Sequence, residues 1–216
     1  MRYNFTFYKN LLMLKVSDLE CVRGERSLFK DISFSLEAGE LMQVNGPNGS
    51  GKTSLLRLLC GLAIPAHGEI RWCGNTIRSL DGEYHNVITY LGHLNGVKDN
   101  LTAIENLRIS SALAGNEIDE SKAYGALRHM GLGGREVFPV KILSQGQRRR
   151  VTLARLLVCR TVLWILDEPL VALDSAAIEL VQSLLEQHLK QGGMVVMTTH
   201  QDINVAAVVT KRLQLA

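Results

Sequence analysis

The sequence predicts an α/β fold with two additions, an antiparallel β subdomain at the start and an inserted helical subdomain in the middle. Residues 14–19 and 33–36 alternate apolar and polar side chains, as half-buried antiparallel strands do. Short apolar runs alternate with helix-like stretches toward the C-terminus, which is typical of a parallel sheet with crossover helices. Between these parts, residues from Thr102 to about Met130 follow a helical spacing.

The remaining elements follow in chain order. They are a strand at 41–44, a helix at 54–61, a hairpin of 69–72 and 76–77, a strand at 87–91, a helix at 145–159, a strand at 162–166, a helix at 176–190, a strand at 194–198, and a final helix and strand. Leu101, Ile104, Leu107 and Ile109 are predicted to share one helix face. We expect one domain over 14–216, with its helical subdomain at about 94–158. Residues 1–13 are interpreted either as a disordered extension or as the result of a misassigned start codon.

A glycine-rich loop gives the first functional indication. Residues 46–53 read Gly46, Pro47, Asn48, Gly49, Ser50, Gly51, Lys52 and Thr53, a complete G-x-x-x-x-G-K-[ST] pattern between a predicted strand and a predicted helix. In that position backbone N–H groups face phosphate oxygens, Lys52 reaches the β- and γ-phosphates, and the Thr53 hydroxyl ligates Mg²⁺. The loop therefore predicts a site for a nucleotide and Mg²⁺.

Two carboxylates follow the predicted strand at 162–166. Asp167 and Glu168 stand at its C-terminal edge, where ligands bind in open α/β sheets. Asp167 is placed to hold Mg²⁺ through its water shell. Glu168 is placed to accept a proton from, or orient, a water that attacks the γ-phosphate.

A third motif, Leu143-Ser144-Gln145-Gly146-Gln147, precedes a predicted helix and offers a further anion contact at its start. With this motif the chain resembles the ABC-type ATPases, whose signature reads Leu-Ser-Gly-Gly-Gln, and it departs from that signature at Gln145. The resemblance runs from about residue 14 to the C-terminus. It implies a P-loop NTPase core of the ABC type that hydrolyses ATP. It also implies a head-to-tail homodimer, in which Ser144 and Gly146 of one subunit clamp the γ-phosphate held by the other.

The same resemblance implies roles for four more residues. Asp174 lies in a segment similar to the loop that links the two sites, and His200 is similar to the switch histidine that contacts the γ-phosphate. His93 stands where these ATPases commonly place a glutamine, and an imidazole can also bond the attacking water or the Mg²⁺ shell. Arg23 stands where they commonly place an aromatic residue that stacks on adenine, which a guanidinium can also do. A purely structural role remains an alternative for His93, and a solvated loop charge remains an alternative for Arg23.

Four segments resemble one branch of these ATPases, the subunit that serves cytochrome c maturation and is described as a haem exporter. They are residues 92–93, 101–107, 163–169 and 198–201. This resemblance implies a peripheral protein on the cytoplasmic face of the inner membrane, bound to integral membrane subunits. Its hydrolysis of ATP would support release or export of haem or of a haem-loaded chaperone. No residue is interpreted as a direct haem ligand.

Composition limits the other function classes. A net charge of +3 with 21% charged residues is too mild for a nucleic-acid partner. No apolar run approaches the roughly 18 residues that cross a bilayer, so membrane action needs a partner.

The nearest alternative is the ATPase subunit of a different ABC transporter. A soluble, non-transport ABC ATPase needs an insertion or a tandem domain for which 216 residues leave no room. A P-loop nucleoside kinase would leave Ser144–Gln147 and His200 unexplained.

Overall fold

The computed structural model describes residues 13–80, 82–200, 205 and 209–216. In this part of the chain the strands are β1 (Met13–Arg23), β2 (Arg26–Glu37), β3 (Glu40–Asn45), β4 (His67–Trp72), β5 (Asn75–Thr76), β6 (Ile88–Leu91), β7 (Leu163–Asp167), β8 (Met194–Thr198) and β9 (Val209–Gln214). The helices are α1 (Lys52–Leu59), α2 (Gly82–His85), α3 (Ala103–Leu113), α4 (Glu120–His129), α5 (Gln145–Leu153), α6 (Arg155–Val158) and α7 (Ser175–Lys190), with a 3₁₀ turn at Val140–Ile142. The predicted fold class is confirmed.

An antiparallel sheet contains the opening strands in the order β2-β1-β4-β5. β1 pairs with β2 and with β4, so the antiparallel pairing predicted from the alternation is confirmed. Both opening strands are longer than predicted, since they continue through shifts of register. Asp18 and Asp31 adopt left-handed backbone angles, with φ of 48° and 56°. Register shifts of this kind interrupt the alternation of apolar and polar side chains, from which the length of a strand is predicted.

A parallel sheet with the order β6-β7-β8-β3-β9 forms the centre of the fold. β8 lies between β3 and β7, and the carboxyl ends of all three strands lie at one edge. Successive residues of β7 and β8 face two separate apolar cores, one that includes α7 and the helical region and one that includes α1 and the antiparallel sheet. This packing brings the segments that follow β3, β7 and β8 together.

The helical region between β6 and β7 consists of α3 to α6, which contact one another. The helical spacing predicted from Thr102 to about Met130 is confirmed, and the structure divides this stretch into two helices, α3 and α4. Gly115, with φ of 72°, ends the first helix, and Asp119 caps the second by accepting a hydrogen bond from Lys122 N at 2.7 Å. Ile109 was predicted to share a helix face with Leu107, but it is 46% exposed whereas Leu107 is buried. Two residues along a helix correspond to a rotation of about 200°, so the two side chains lie on opposite faces.

Two expectations concern residues outside the described part. The N-terminal extension falls there except for Met13, which begins β1. The final helix falls largely on residues 201–204 and 206–208. Among the residues that the structure describes, no helix is long and apolar enough to cross a bilayer.

Candidate functional site

The loop after β3 turns sharply into α1 and requires glycine at two positions. Gly46 and Gly51 have φ of 153° and 96°. A Cβ atom at Gly46 would lie 2.6 Å from Ser50 Oγ, and one at Gly51 would lie 2.9 Å from the Phe29 ring. No side chain caps the start of α1. The first N–H groups of this helix are therefore oriented for an anion, which the helix dipole also favours.

Lys52 is held within this loop. Its side chain is buried, with the residue 9% exposed. The Nζ atom donates to the carbonyl oxygens of Gly46, at 2.6 Å, and Pro47, at 3.3 Å. The ammonium group therefore lies beside the glycine-rich backbone that is predicted to surround phosphate.

Hydrogen bonds connect the ends of α1, β7 and β8. Thr53 Oγ1 donates to Asp167 Oδ2 at 2.8 Å, and Thr198 Oγ1 donates to Asp167 Oδ1 at 2.7 Å. Thr198 Oγ1 also accepts from the backbone N–H of Glu168 at 2.9 Å. Asp167 is 2% exposed, so two hydroxyl donors fix a buried carboxylate beside the phosphate loop. Thr198 was not predicted as a site residue, although a polar residue at the end of an apolar strand is visible in the sequence.

Glu168 occupies a strained turn. Its φ is 49°, a left-handed angle that costs a residue other than glycine about 1 to 2 kcal/mol. The side chain is 13% exposed, and its Oε1 atom lies 3.2 Å from Nε2 of His200. Oε1 accepts no well-aligned hydrogen bond from any described residue. A partly buried carboxylate in a strained turn, with an acceptor atom that no described donor fills, is suited to receive a hydrogen bond from a substrate water.

These residues surround one cavity of about 560 Å³. The predicted residues that line it are Arg23, Pro47, Asn48, Gly49, Gly51, Lys52, Thr53, His93, Asp167, Glu168 and His200. Leu28, Ser54 and Val171 also line it and were not predicted. Arg23 and His93 are both exposed at its rim. One cavity thus brings together the loop, the carboxylates and both histidines.

Tyr90 adds a neutral group near the carboxylates. Burial raises the pKa of its phenol to about 12, and the negative charge of Asp167 acts in the same direction. The phenol therefore stays protonated at physiological pH. Tyr90 was predicted only as part of a strand, since a tyrosine in an apolar run does not by itself indicate a site residue.

The residues of the third motif lie outside this cavity. Ser144 caps α5: its hydroxyl accepts from Gln147 N at 3.3 Å, while Gln147 Oε1 accepts from Ser144 N at 3.0 Å. Ser144 and Gln145 are exposed. Gly146 packs so closely on the next loop that a Cβ atom would lie 2.6 Å from the Ala172 carbonyl oxygen. The motif therefore places a capped helix start, with Ser144 and Gln145 exposed, outside the cavity beside its own phosphate loop.

Asp174 connects this helix to α7. Its carboxylate caps α7 by accepting from Ala177 N at 2.9 Å, and it forms an ion pair with Arg150 of α5. Ala172, two residues earlier, has a left-handed φ of 63°. The loop predicted to link two sites is thus held by α5 on one side and by its own helix cap on the other.

The donor set at Thr53 and Asp167 fits Mg²⁺. Both groups offer oxygen atoms, which Mg²⁺ prefers, and they lie 2.8 Å apart beside the phosphate loop. No cluster of three or more His, Cys, Asp or Glu side chains suited to a metal occurs among the described residues. Mg²⁺ is commonly held by one or two protein oxygens plus substrate phosphates and water, so this small set suffices.

Comparison with known proteins agrees with this geometry. The model of the ABC transporter family matches residues 29–171. A cytochrome c biogenesis ATP-binding export protein, CcmA, of Nitrosospira multiformis is 71% identical over 198 residues, which cover 92% of this chain and 96% of the relative. The chain belongs to the ABC transporter family, among the cytochrome c biogenesis ATP-binding export proteins.

Solved ABC structures have the same fold. A putative ABC transporter ATP-binding protein from Pyrococcus furiosus superposes with a TM-score of 0.80 at 27% identity, covering 93% of this chain and 97% of its own. The ATP-binding cassette MJ0796, in a dimeric post-hydrolysis state bound to ADP and Pi, gives a TM-score of 0.77 at 27% identity over 89% and 90% of the two chains. The prediction of an ABC-type ATPase is confirmed.

Proposed function

We propose that this protein is the ATP-hydrolysing subunit of a membrane ABC complex that acts in cytochrome c biogenesis. The observation that carries the proposal is the cavity where the phosphate loop meets Asp167, Glu168, His93 and His200. Identity of 71% to a cytochrome c biogenesis ATP-binding export protein supports the same process here. Its cargo is haem or a haem-loaded chaperone on the far side of the membrane.

Nucleotide binding begins at the phosphate loop. Lys52 exchanges the Gly46 carbonyl, 2.6 Å from its Nζ atom, for oxygens of the β- and γ-phosphates. The uncapped N–H groups at the start of α1 bind the same phosphates. Arg23, at the end of β1, stacks its planar guanidinium on the adenine.

Thr53 and Asp167 would hold Mg²⁺. The Thr53 hydroxyl would supply one oxygen ligand, and the Asp167 carboxylate, fixed by Thr198, would hold the ion through its water shell. When bound, the ion neutralises the charge that develops between the β- and γ-phosphates.

Glu168 assists hydrolysis at the γ-phosphate. Its Oε1 atom accepts a hydrogen bond from the attacking water, orients that water and takes up its proton. His200, with Nε2 at 3.2 Å, orients this carboxylate and contacts the γ-phosphate. His93, which also lines the cavity, binds the same water or the Mg²⁺ shell.

Two subunits complete each other's sites. Ser144, Gln145, Gly146 and Gln147 face away from their own cavity, so the start of α5 is available to a second nucleotide. Ser144 and Gly146 clamp the γ-phosphate of the partner subunit, and Asp174 lies in the loop between the sites. The related cassette MJ0796 is described as dimeric, which supports a homodimer here.

The protein binds integral membrane subunits on the cytoplasmic face of the inner membrane. Leu94, 84% exposed directly after His93, is the proposed contact with such a subunit. Ile142, 61% exposed, lies in the neighbouring segment, where Lys141 N donates to Asp99 O at 3.0 Å. A large apolar side chain beside a catalytic histidine is a suitable place to couple a partner to hydrolysis.

A matched pair of substitutions tests this contact. Leu94→Glu should lower co-purification with membrane subunits by at least about tenfold while nucleotide binding is retained. Leu113→Glu is the control, since Leu113 is 85% exposed at the far end of α3. Val97 is a poorer choice because it packs against the core. Equal retention of membrane subunits by both variants would contradict the proposed contact.

Complementation tests the assignment to cytochrome c biogenesis. In a strain that lacks this gene, the natural protein should restore c-type cytochromes, detected by covalent haem staining. Lys52→Ala should not restore them, whereas Lys30→Ala, on the exposed surface of β2, should. Normal c-type cytochromes in the deletion strain would indicate that the ATPase serves a different transporter.

A further inference from the structure

Arg149, the fifth residue of α5, is a buried cation with an unusual set of partners. It is 3% exposed. Its Nη2 atom donates to the carbonyl oxygens of Asp167, at 2.9 Å, and Glu168, at 2.8 Å. Its Nε atom donates to the Pro169 carbonyl at 3.2 Å. Three consecutive carbonyls of the turn after β7 therefore accept from one guanidinium.

The same side chain contacts the segment after β6. Its Nη1 atom donates to Gly92 O at 3.1 Å and to Asn95 Oδ1 at 3.4 Å. Gly92 directly precedes His93. The five contacts match the five N–H donors of an arginine, whose planar fork fixes their directions. One side chain thus connects the segments that carry Glu168 and His93.

These contacts hold the backbone and do not involve the carboxylate oxygens of Asp167 or Glu168. Four of the five acceptors are main-chain carbonyls, and none is a carboxylate oxygen. Burial lowers the pKa of the Arg149 guanidinium, while the charges of Asp167 and Glu168 act in the opposite direction. The guanidinium therefore lies close enough to interact electrostatically with both carboxylates. It forms no hydrogen bond to the carboxylate oxygens that would face water or Mg²⁺.

The turn that Arg149 holds is the strained one. Glu168 has φ of 49°, and a residue keeps such an angle only where its surroundings fix the backbone on several sides. Arg149 bonds the carbonyls of Glu168 and of both its neighbours. Its own helix begins at the cap residue Ser144, which is the proposed contact with the other subunit's nucleotide.

We propose that Arg149 is a positioning residue for hydrolysis, which sets the Glu168 turn and ties it to the helix that begins at Ser144. Arg149 is not among the residues that line the cavity, so it acts through Glu168. The inference rests on the proposed function, since it requires that Glu168 assists hydrolysis.

Arg149→Lys tests this role. A lysine keeps the charge and the stem, but its single ammonium cannot reach carbonyls on two segments. We expect kcat for ATP to fall at least about tenfold, with KM and the nucleotide Kd unchanged within about threefold. Arg148→Lys is the control, because the hydrogen bonds of the Arg148 side chain to described residues go to Leu143 O, Lys141 O and Asp99 Oδ1, all within the helical region. Its kcat should stay within about twofold of the natural value.

A double-mutant cycle separates positioning from a general structural effect. If Arg149 acts through Glu168, Arg149→Lys should cost no further rate in a Glu168→Gln background, measured under single-turnover conditions. An equal loss in both backgrounds, or a loss no larger than that of Arg148→Lys, would overturn the proposal. Should the lysine variant not fold, Arg149→Gln removes the buried charge and is measured in the same way. Failure of both variants to fold would give Arg149 a structural role only and would also overturn it.

The same experiment distinguishes this proposal from the proposed function. If Glu168→Gln alone keeps the natural kcat, the role of Glu168 in hydrolysis is wrong. If Glu168→Gln is inactive and Arg149→Lys is fully active, the role of Glu168 stands and that of Arg149 is wrong.

Discussion

At the scale of single residues, Lys52 and Glu168 line one cavity with opposite charges and different surroundings. Lys52 is bonded to loop carbonyls, whereas Oε1 of Glu168 has no aligned donor among the described residues. Lys52→Ala should therefore weaken ATP binding by about 10- to 100-fold, or about 1.4 to 2.8 kcal/mol. Glu168→Gln should keep the affinity and lower kcat by at least about 100-fold. Calorimetric titration and a phosphate-release assay measure the two effects, and a loss of affinity in Glu168→Gln would contradict the division.

His93 gives a second prediction at this scale. If it replaces the glutamine common in related ATPases, His93→Gln should keep kcat within a few-fold, while His93→Ala should lower it about tenfold or more. A glutamine side chain can donate and accept a hydrogen bond as a neutral imidazole does, whereas alanine can do neither. Steady-state phosphate release by the three proteins measures the difference. A loss in His93→Gln as large as that in His93→Ala would contradict the replacement.

Single residues differ in how far the sequence predicts their roles. The phosphate loop, Asp167 and Glu168 were recognisable because phosphate and Mg²⁺ chemistry demands those residue types at that spacing. Arg149 was not recognised within the basic run 148–150, because its partners are backbone carbonyls. Main-chain acceptors leave no pattern in a sequence, and segments far apart in the chain supply them.

At the scale of elements, the packing of α7 on β7 contains a pH-dependent contact. His188 stacks on Trp164 with ring centroids 3.7 Å apart and an interplanar angle of 6°. Burial lowers the pKa of His188 to about 4, although its Nε2 atom lies 3.0 Å from Val162 O. The folded state thus holds this imidazole neutral, whereas in the unfolded state it takes up a proton below about pH 6.5. The contribution of His188 to the free energy of unfolding is therefore unchanged above about pH 6.5 and becomes steadily less favourable as the pH falls toward 4.

His188→Phe measures this contribution, since phenylalanine keeps the stacked ring and removes the titration. Between pH 7 and pH 5 the free energy of unfolding of the natural protein should fall by about 2 kcal/mol more than that of the variant. Urea unfolding at the two pH values gives the difference. An equal fall in both proteins would show that His188 does not titrate as stated.

The elements also show where sequence patterns fail. The strands of the parallel sheet were predicted because apolar runs of this length, buried on both faces, have few alternatives. The division of 102–130 into α3 and α4 was missed because both helices bury apolar residues in one core, so the spacing continues across the break. Gly115 and Asp119, a helix stop and a helix cap, were the available signals.

At the scale of the whole molecule, the proposed dimer would build each site from two faces that belong to different subunits. The cavity lies beside the phosphate loop, and the exposed motif at Ser144 lies elsewhere on the same chain. A nucleotide that is bound but not hydrolysed should therefore hold two chains together. We expect Glu168→Gln to form a dimer with ATP and Mg²⁺ and to be a monomer without them, as measured by size-exclusion chromatography with light scattering.

Substitutions at Ser144 test whether that dimer depends on the start of α5. Ser144 also caps α5 through Gln147 N, so an alanine variant would lose the cap as well as the proposed contact. Asp and Asn are as good as Ser in capping a helix, but only Asp adds a negative charge toward the partner's γ-phosphate. In the Glu168→Gln background, Ser144→Asp should therefore abolish the ATP-dependent dimer, whereas Ser144→Asn should retain most of it. Dimers of equal stability in both variants would show that Ser144 does not face a phosphate in the other subunit, and the composite site would then need a different partner surface.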